Sequence, residues 1–98
     1  MRLIVRDERR LFPPQTRAYA EYRAFATLAA QCDPIEDVSV TLTQRPDAAG
    51  DGGAQIVCAI AVRTRSGDVV DVEAVASRAY AAIDRAVDLI SAHRLVRP

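Results

Sequence analysis

"VVDVEAVASRAYAAIDRAVDLI" occupies residues 69–90, and within it the spacing of apolar side chains changes from every second position to every third or fourth. As far as Val75, Val70 and Val72 alternate with Asp71 and Glu73, the pattern of a strand with one wet face. From Ala79 onward, Ala79, Ile83, Ala86 with Val87, and Ile90 recur at helical spacing, with Tyr80 at the edge of the stripe. Ser77 has the residue type and position of an N-cap, its hydroxyl able to accept a first-turn amide. A strand that runs directly into so amphipathic a helix gives that helix one surface on which to bury its stripe, namely the sheet.

Upstream, "RLIVR" at residues 2–6 reads as a short strand with Leu3 and Val5 facing one way, closed by the charged "RDERR". Pro13 and Pro14 suit a helix start, because first-turn amides have no intrahelical acceptor to lose. The spacing predicts a helix from Thr16 to Cys32 with a buried stripe of Ala18, Tyr22, Phe25, Ala29 and Cys32, Leu28 beside them, and Arg17 placed to pair with Glu21. Pro34 ends it. "VSVTLT" at 38–43 alternates Val38, Val40 and Leu42 with hydroxyl residues, as a half-buried strand does. "RPDAAGDGGA" at 45–54 is turn chemistry and predicts a long mobile hairpin loop. "QIVCAIAVR" and "VVDVEAV" then flank "TRSGD", where Gly67 is free to take positive φ, and read as an antiparallel pair with Ile56, Cys58 and Ile60 sharing an inner face with Val70 and Val72. The predicted fold is therefore α+β: a two-layer sandwich, strand-helix-strand-strand-strand-helix, with a four-stranded sheet and both helices on one face. The first crossover is expected to be parallel and right-handed.

At 98 residues, half of them apolar, the chain suits one modest core, so residues 1–98 are read as a single domain. Thirteen arginines balance thirteen acids, without a lysine, so no global field draws the chain to phosphate or membrane and any nucleic-acid surface has to be local. The lysine count fits codon bias toward GC-rich triplets. Cys32 and Cys58 lack the spacing of a zinc site or redox pair, and no apolar leader precedes them, which fits free thiols in a cytoplasmic protein. The longest uncharged apolar segment, around "AQIVCAIAV", is far short of the ~18 residues of a membrane span.

Chemistry is sparse. His93, the single histidine, has no serine, cysteine or carboxylate arrangement around it and suits a helix end. Asp47 and Asp51 fail the calcium-loop spacing and serve the turn. Alternation puts Asp71 and Glu73 on the solvent face, where carboxylates keep a sheet wet and oppose edge pairing. Cys58 reads as a small core residue. No glycine-rich phosphate cradle is present, so catalysis, metal and cofactor are not expected. The remaining lead is arginine: Arg17 and Arg23 on the first helix, Arg78 and Arg85 on the last, and Arg94 and Arg97 near the C-terminus, which two side-by-side helices would merge into one strip for phosphate oxygens.

"YAAID" at 80–84 followed by Asp88, together with "TRAYAEYRAFATL", "IEDVSVTL" and "SGDVVDVEAVASRAYAAID", resembles the ribosome hibernation promoting factor family, which includes ribosome-associated inhibitors. Nearly the whole chain is covered. The resemblance implies the same order of elements, cytoplasmic location, and binding to small-subunit rRNA, where the domain occupies the mRNA and tRNA channel and silences translation under stress. It also implies rRNA contacts at Arg17, Arg23, Arg78, Arg85, Arg94 and Arg97. The chain departs from the pattern at Thr27, Leu89 and Ala92, where basic residues are usual, and at Arg78, where aspartate is usual. Fewer phosphate partners imply weaker, less salt-sensitive binding. Because the sequence ends soon after the last helix, the short form is expected, without the C-terminal dimerisation domain of the long forms. The alternative reading keeps the scaffold and changes the ligand: a non-RNA protein partner, or a homodimer, through the Leu89 side or the exposed sheet face.

Overall fold

The computed structural model describes residues 1–7, 9–30, 34–46 and 54–93. Its elements are β1 (Arg2–Arg6), α1 (Pro14–Ala29), β2 (Ile35–Pro46), β3 (Ala54–Thr64), β4 (Val69–Ala76) and α2 (Ala79–Ala92), which is the expected strand-helix-strand-strand-strand-helix order. The four strands form one sheet in the order β1-β2-β3-β4. β1 runs parallel to β2, while β2–β3 and β3–β4 are antiparallel. α1 packs on β1 and β2, α2 on β3 and β4, and the helices touch each other. The covered face carries Val38, Val40 and Leu42 from β2, Cys58, Ile60 and Val62 from β3, and Ala74 and Ala76 from β4, all in one core with Ile83, Val87 and Ile90 of α2. Leu3, Val5, Val70 and Val72 pack against its margin.

Two local features set this alignment. Ile35 and Val38 are three positions apart, which strict alternation would place on opposite faces, yet both are buried. The register slips between Ile35 and Asp37, and the extra residue of this bulge returns Ile35 to the core side while Asp37 points out. At the β3–β4 connection, Gly67 has φ of 94°, a left-handed conformation that glycine adopts without steric cost. The Gly67 amide donates to the Thr64 carbonyl at 3.0 Å and the Thr64 amide to the Asp68 carbonyl at 2.9 Å, so three residues close the hairpin with a bulge.

Three expectations are corrected. The buried stripe of α1 is Thr16, Ala20, Ala24 and Leu28, whereas Tyr22 is 68% and Phe25 55% exposed, and Ala18 and Ala29 also face solvent. Leu28 was placed correctly; Cys32 lies outside the described residues. A stripe of small side chains lets α1 lie close on the sheet, and the larger rings are left out because no space remains beneath the helix. Second, the N-cap of α2 is Arg78, with no side-chain cap bond, so Ser77 does not cap the helix. Third, β2 and β3 stay paired out to Pro46 and Ala54, which shortens the expected 45–54 loop at both ends; its central part, with Asp47 and Asp51, lies outside the described residues.

Cys58 is fully buried, and desolvation of the thiolate pushes its pKa up to about 12. In the folded protein Cys58 therefore resists alkylation at pH 8, and peptide mapping after iodoacetamide should find it modified only when denaturant is added. The corrected α1 stripe predicts that Leu28→Ala costs about 2–5 kcal/mol in urea unfolding, while Phe25→Ala stays within about 0.5 kcal/mol. The reverse ranking would restore the first reading of the helix.

Candidate nucleic-acid interface

α1 and α2 meet along a polar seam. The Tyr19 hydroxyl donates to Asp84 Oδ1 at 2.6 Å, and Arg23 Nε donates to the same oxygen at 3.1 Å. Tyr19 also meets Tyr80 edge to face, ring centroids 4.6 Å apart, an arrangement aromatic quadrupoles favour. Tyr19 and Arg23 are one turn apart on α1, and Tyr80 and Asp84 one turn apart on α2, so each helix offers two adjacent groups to the other. The bond to Asp84 holds the Tyr19 phenol above its ordinary pKa of 10.0, with desolvation and the Asp84 charge adding to the rise and the Arg23 charge opposing it.

The other arginines are directed elsewhere. Arg17 Nη1 lies 3.8 Å from Asp7 Oδ2, and does not take the Glu21 partner its spacing suggested. The Asp7 side chain is 1% exposed and accepts the amides of Leu11 at 2.9 Å and Phe12 at 2.9 Å. It thus ties down the connection from β1 to α1, where Arg10 sits at a φ of 51°. Arg85 Nη1 donates to the Val75 carbonyl at 2.8 Å. Successive helical residues are about 100° apart, so while Asp84 faces α1, Arg85 turns to the strand side of α2. Arg78 is exposed at the N-cap of α2 and has no ion pair among the described residues. Arg94 and Arg97 lie outside the described residues.

The joint arginine strip is therefore not formed by the described candidates. Arg17 is tied to the end of β1, Arg23 to the helix seam and Arg85 to β4. The physical reason is the supply of acceptors: Asp7, Asp84 and a strand carbonyl lie within reach, and a guanidinium binds what is near before it binds a distant ligand. Outward from the seam the helix layer instead carries Tyr22 and Phe25, three residues apart on α1, and Leu89 on α2, 45% exposed. Sequence reading missed Asp7 altogether. Its signal was available, because an aspartate just after a strand and a few residues before a helix is well placed to accept loop amides.

The arrangement belongs to the class of two-layer α+β domains in which two helices cover one face of a mixed four-stranded sheet. No family model matches the chain, and no curated protein matches it in sequence. Among solved structures, the N-terminal domain of protein Y from Thermus thermophilus is similar, with a TM-score of 0.65 and 27% identity over 93% of this chain and 89% of that one. No described helix is long and apolar enough to cross a membrane.

Two measurements check the site's chemistry. Asp7→Ala strands two loop amides and should cost about 1–3 kcal/mol, against less than about 1 kcal/mol for Arg17→Ala, whose bond is long and partly exposed. A raised folded-state pKa contributes stability that is present below the ordinary value and lost as pH climbs through the folded one. Ultraviolet titration should accordingly find a phenol ionising above pH 10 that Asp84→Asn moves back down, with the Tyr19 contribution to stability disappearing only on the alkaline side.

Proposed function

We propose that this domain is a ribosome-associated factor of the hibernation type, acting in the cytoplasm by steric occupation of the small subunit's mRNA and tRNA channel. The observation that carries this reading is the agreement between the sequence resemblance and the similarity to the protein Y domain over 93% of the chain. Steric occupation needs a correctly shaped solid body and no reacting group.

The ion pairs described above weaken the electrostatic part of this reading without removing it. The Arg23–Asp84 pair is half-buried, its side chains 32% and 44% exposed, and pairs that solvent still reaches are worth about 0–1 kcal/mol. Phosphate can therefore compete for the Arg23 fork, whose Nη groups are not used by Asp84. Arg78 is available outright. Arg17 and Arg85 are less so, since engaging RNA would release loop or strand acceptors. The proposed rRNA contacts are thus Arg23 and Arg78 first, Arg17 and Arg85 second, with Arg94 and Arg97 carried by the family resemblance alone.

A second reading is favoured by Tyr22, Phe25 and Leu89: the helix layer meets a protein rather than RNA, with the rings as anchors. Co-sedimentation with small subunits on sucrose gradients at low and at high salt separates the two. The rRNA reading expects the protein to travel with the subunit at low salt and to be released as salt rises, with log affinity against log salt falling by about 0.7–0.9 for each phosphate contact made. Arg23→Ala together with Arg78→Ala should then flatten that slope by about 2. Binding with no salt dependence, lost on Tyr22→Ala with Phe25→Ala, would establish the protein reading. Protein at the top of the gradient under both conditions would exclude the ribosomal proposal.

A further inference from the structure

β3, one of the two inner strands, is apolar on both faces from Ile56 to Val62. Ile56, Cys58, Ile60 and Val62 point to the helices, and Val57, Ala59 and Ala61 point the other way, between Thr43, Thr41 and Ser39 of β2 and Val75, Glu73 and Asp71 of β4. A strand that is apolar on both sides is ordinarily covered on both, yet the helices cover one; on the other, Val57 is buried within the sheet's own side chains while Ala59 and Ala61 are half-buried. On the open side Ile4 is 44% and Val69 59% exposed.

Charge on this open face is divided. Reading across the sheet in register, one row is Arg6, Thr41, Ala59, Glu73, and the next is Ile4, Ser39, Ala61, Asp71. In these two rows the β1 edge is cationic or apolar, the β4 edge anionic and the middle small and neutral; the adjoining row is Arg2, Asp37, Arg63 and Val69, where Asp37 is already paired with both arginines. Among the described residues, the side chains of Arg6 and Asp71 make no hydrogen bond or ion pair, while Glu73 has an exposed partner in Arg45 at 3.9 Å.

We propose that the open sheet face binds a second copy of this chain, face to face, about a two-fold axis lying parallel to the strands. Such an axis lays β1 of one copy over β4 of the other, so that Arg6 stands opposite Glu73 and Glu73 opposite Arg6, while Ala59 meets Thr41. An axis across the strands would set β1 on β1 and confront like charges. Packed sheets rotate by about 30°, which displaces the edge strands by about half the spacing between rows and leaves Glu73 within reach of the long Arg6 side chain. The face supplies both halves of its own complement, as an isologous interface must.

The size of the face sets the strength. All four strands lie side by side only from Asp37 to Thr41, because β1 ends at Arg6; from there to Arg45 the two copies overlap through β2 and β3. At about 3.3 Å per residue and about 4.8 Å per strand this covers roughly 400 Å² per copy with side chains, and roughly 800 Å² for the pair is the size of a weak, transient interface. The dimer is therefore reversible, with Kd in about the micromolar range or weaker. It uses the side of the sheet opposite the helices and does not rest on the ribosomal reading.

Sedimentation equilibrium of the full chain from about 1 μM to about 1 mM tests it. The weight-average mass should climb from 10.7 kDa toward twice that value. Arg6→Glu alone and Glu73→Arg alone should each remain monomeric, since each sets like charges opposite. R6E/E73R in one chain should restore association, and an equimolar mixture of the two single variants should associate although neither does so by itself. Ala61→Arg, in the middle of the face, should also be monomeric, with circular dichroism verifying the fold of every variant. A wild-type mass that stays at 10.7 kDa throughout, single variants that associate as the wild type does, or a double variant that fails to recover would each overturn the proposal.

Discussion

Burial of the inner side of β2 and β3 under two helices is the constraint on which the remaining features depend. Val40, Leu42, Ile60 and Val62 are at most 1% exposed, and fully burying each side chain of this size contributes about 1.5–3 kcal/mol. The helices meet that surface with alanines set among larger side chains: Ala20 and Ala24 with Leu28 on α1, Ala82 and Ala86 with Ile83, Val87 and Ile90 on α2. Close approach then brings the two helices against each other, and the seam of Tyr19, Tyr80, Arg23 and Asp84 follows. Its polar groups satisfy one another where neither sheet nor solvent fully serves them.

The same closeness decides what arginine does in this chain. A neutral sequence rich in arginine has as many acids as bases within a small volume, and folding brings several of them together. Arg17 supports a loop whose main work is done by Asp7, Arg85 satisfies a strand carbonyl, and Arg23 shares a carboxylate with a phenol. On the open sheet face, Asp37 similarly gathers Arg2 and Arg63. Guanidinium groups that first complete the fold are placed and oriented by it, and they meet an external anion only by exchanging partners. Weak exposed pairs permit this exchange; the loop anchored by the buried Asp7 carboxylate resists it.

The sheet and α2 were legible because their patterns are clean. Val38, Val40 and Leu42 alternate with hydroxyls, and Ile83, Val87 and Ile90 are large and regularly spaced. α1 was legible as a helix, through Pro13 and Pro14, but not in its orientation. Its alanines occur on every side, so the two large rings, Tyr22 and Phe25, dominated the apolar pattern although they are too bulky for the side that is buried. The bulge at the start of β2 was hidden because one extra residue leaves no compositional trace. The candidate site was legible as a set of residue types and not as a geometry, since the partners of Arg17 and Arg23, namely Asp7 and Asp84, are 10 and 61 positions away in the chain.

The parallel pairing of β1 with β2 bears on the order in which the chain assembles. Arg2 and Asp37 are 35 positions apart, whereas Arg63 and Val69 are 6 apart, and the difference in loop closure amounts to about 1.5 kcal/mol. The β2–β3–β4 meander can form from neighbouring segments, and the N-terminal strand has to wait for α1 to carry it back. During synthesis the first strand to be made is consequently among the last to find its neighbour.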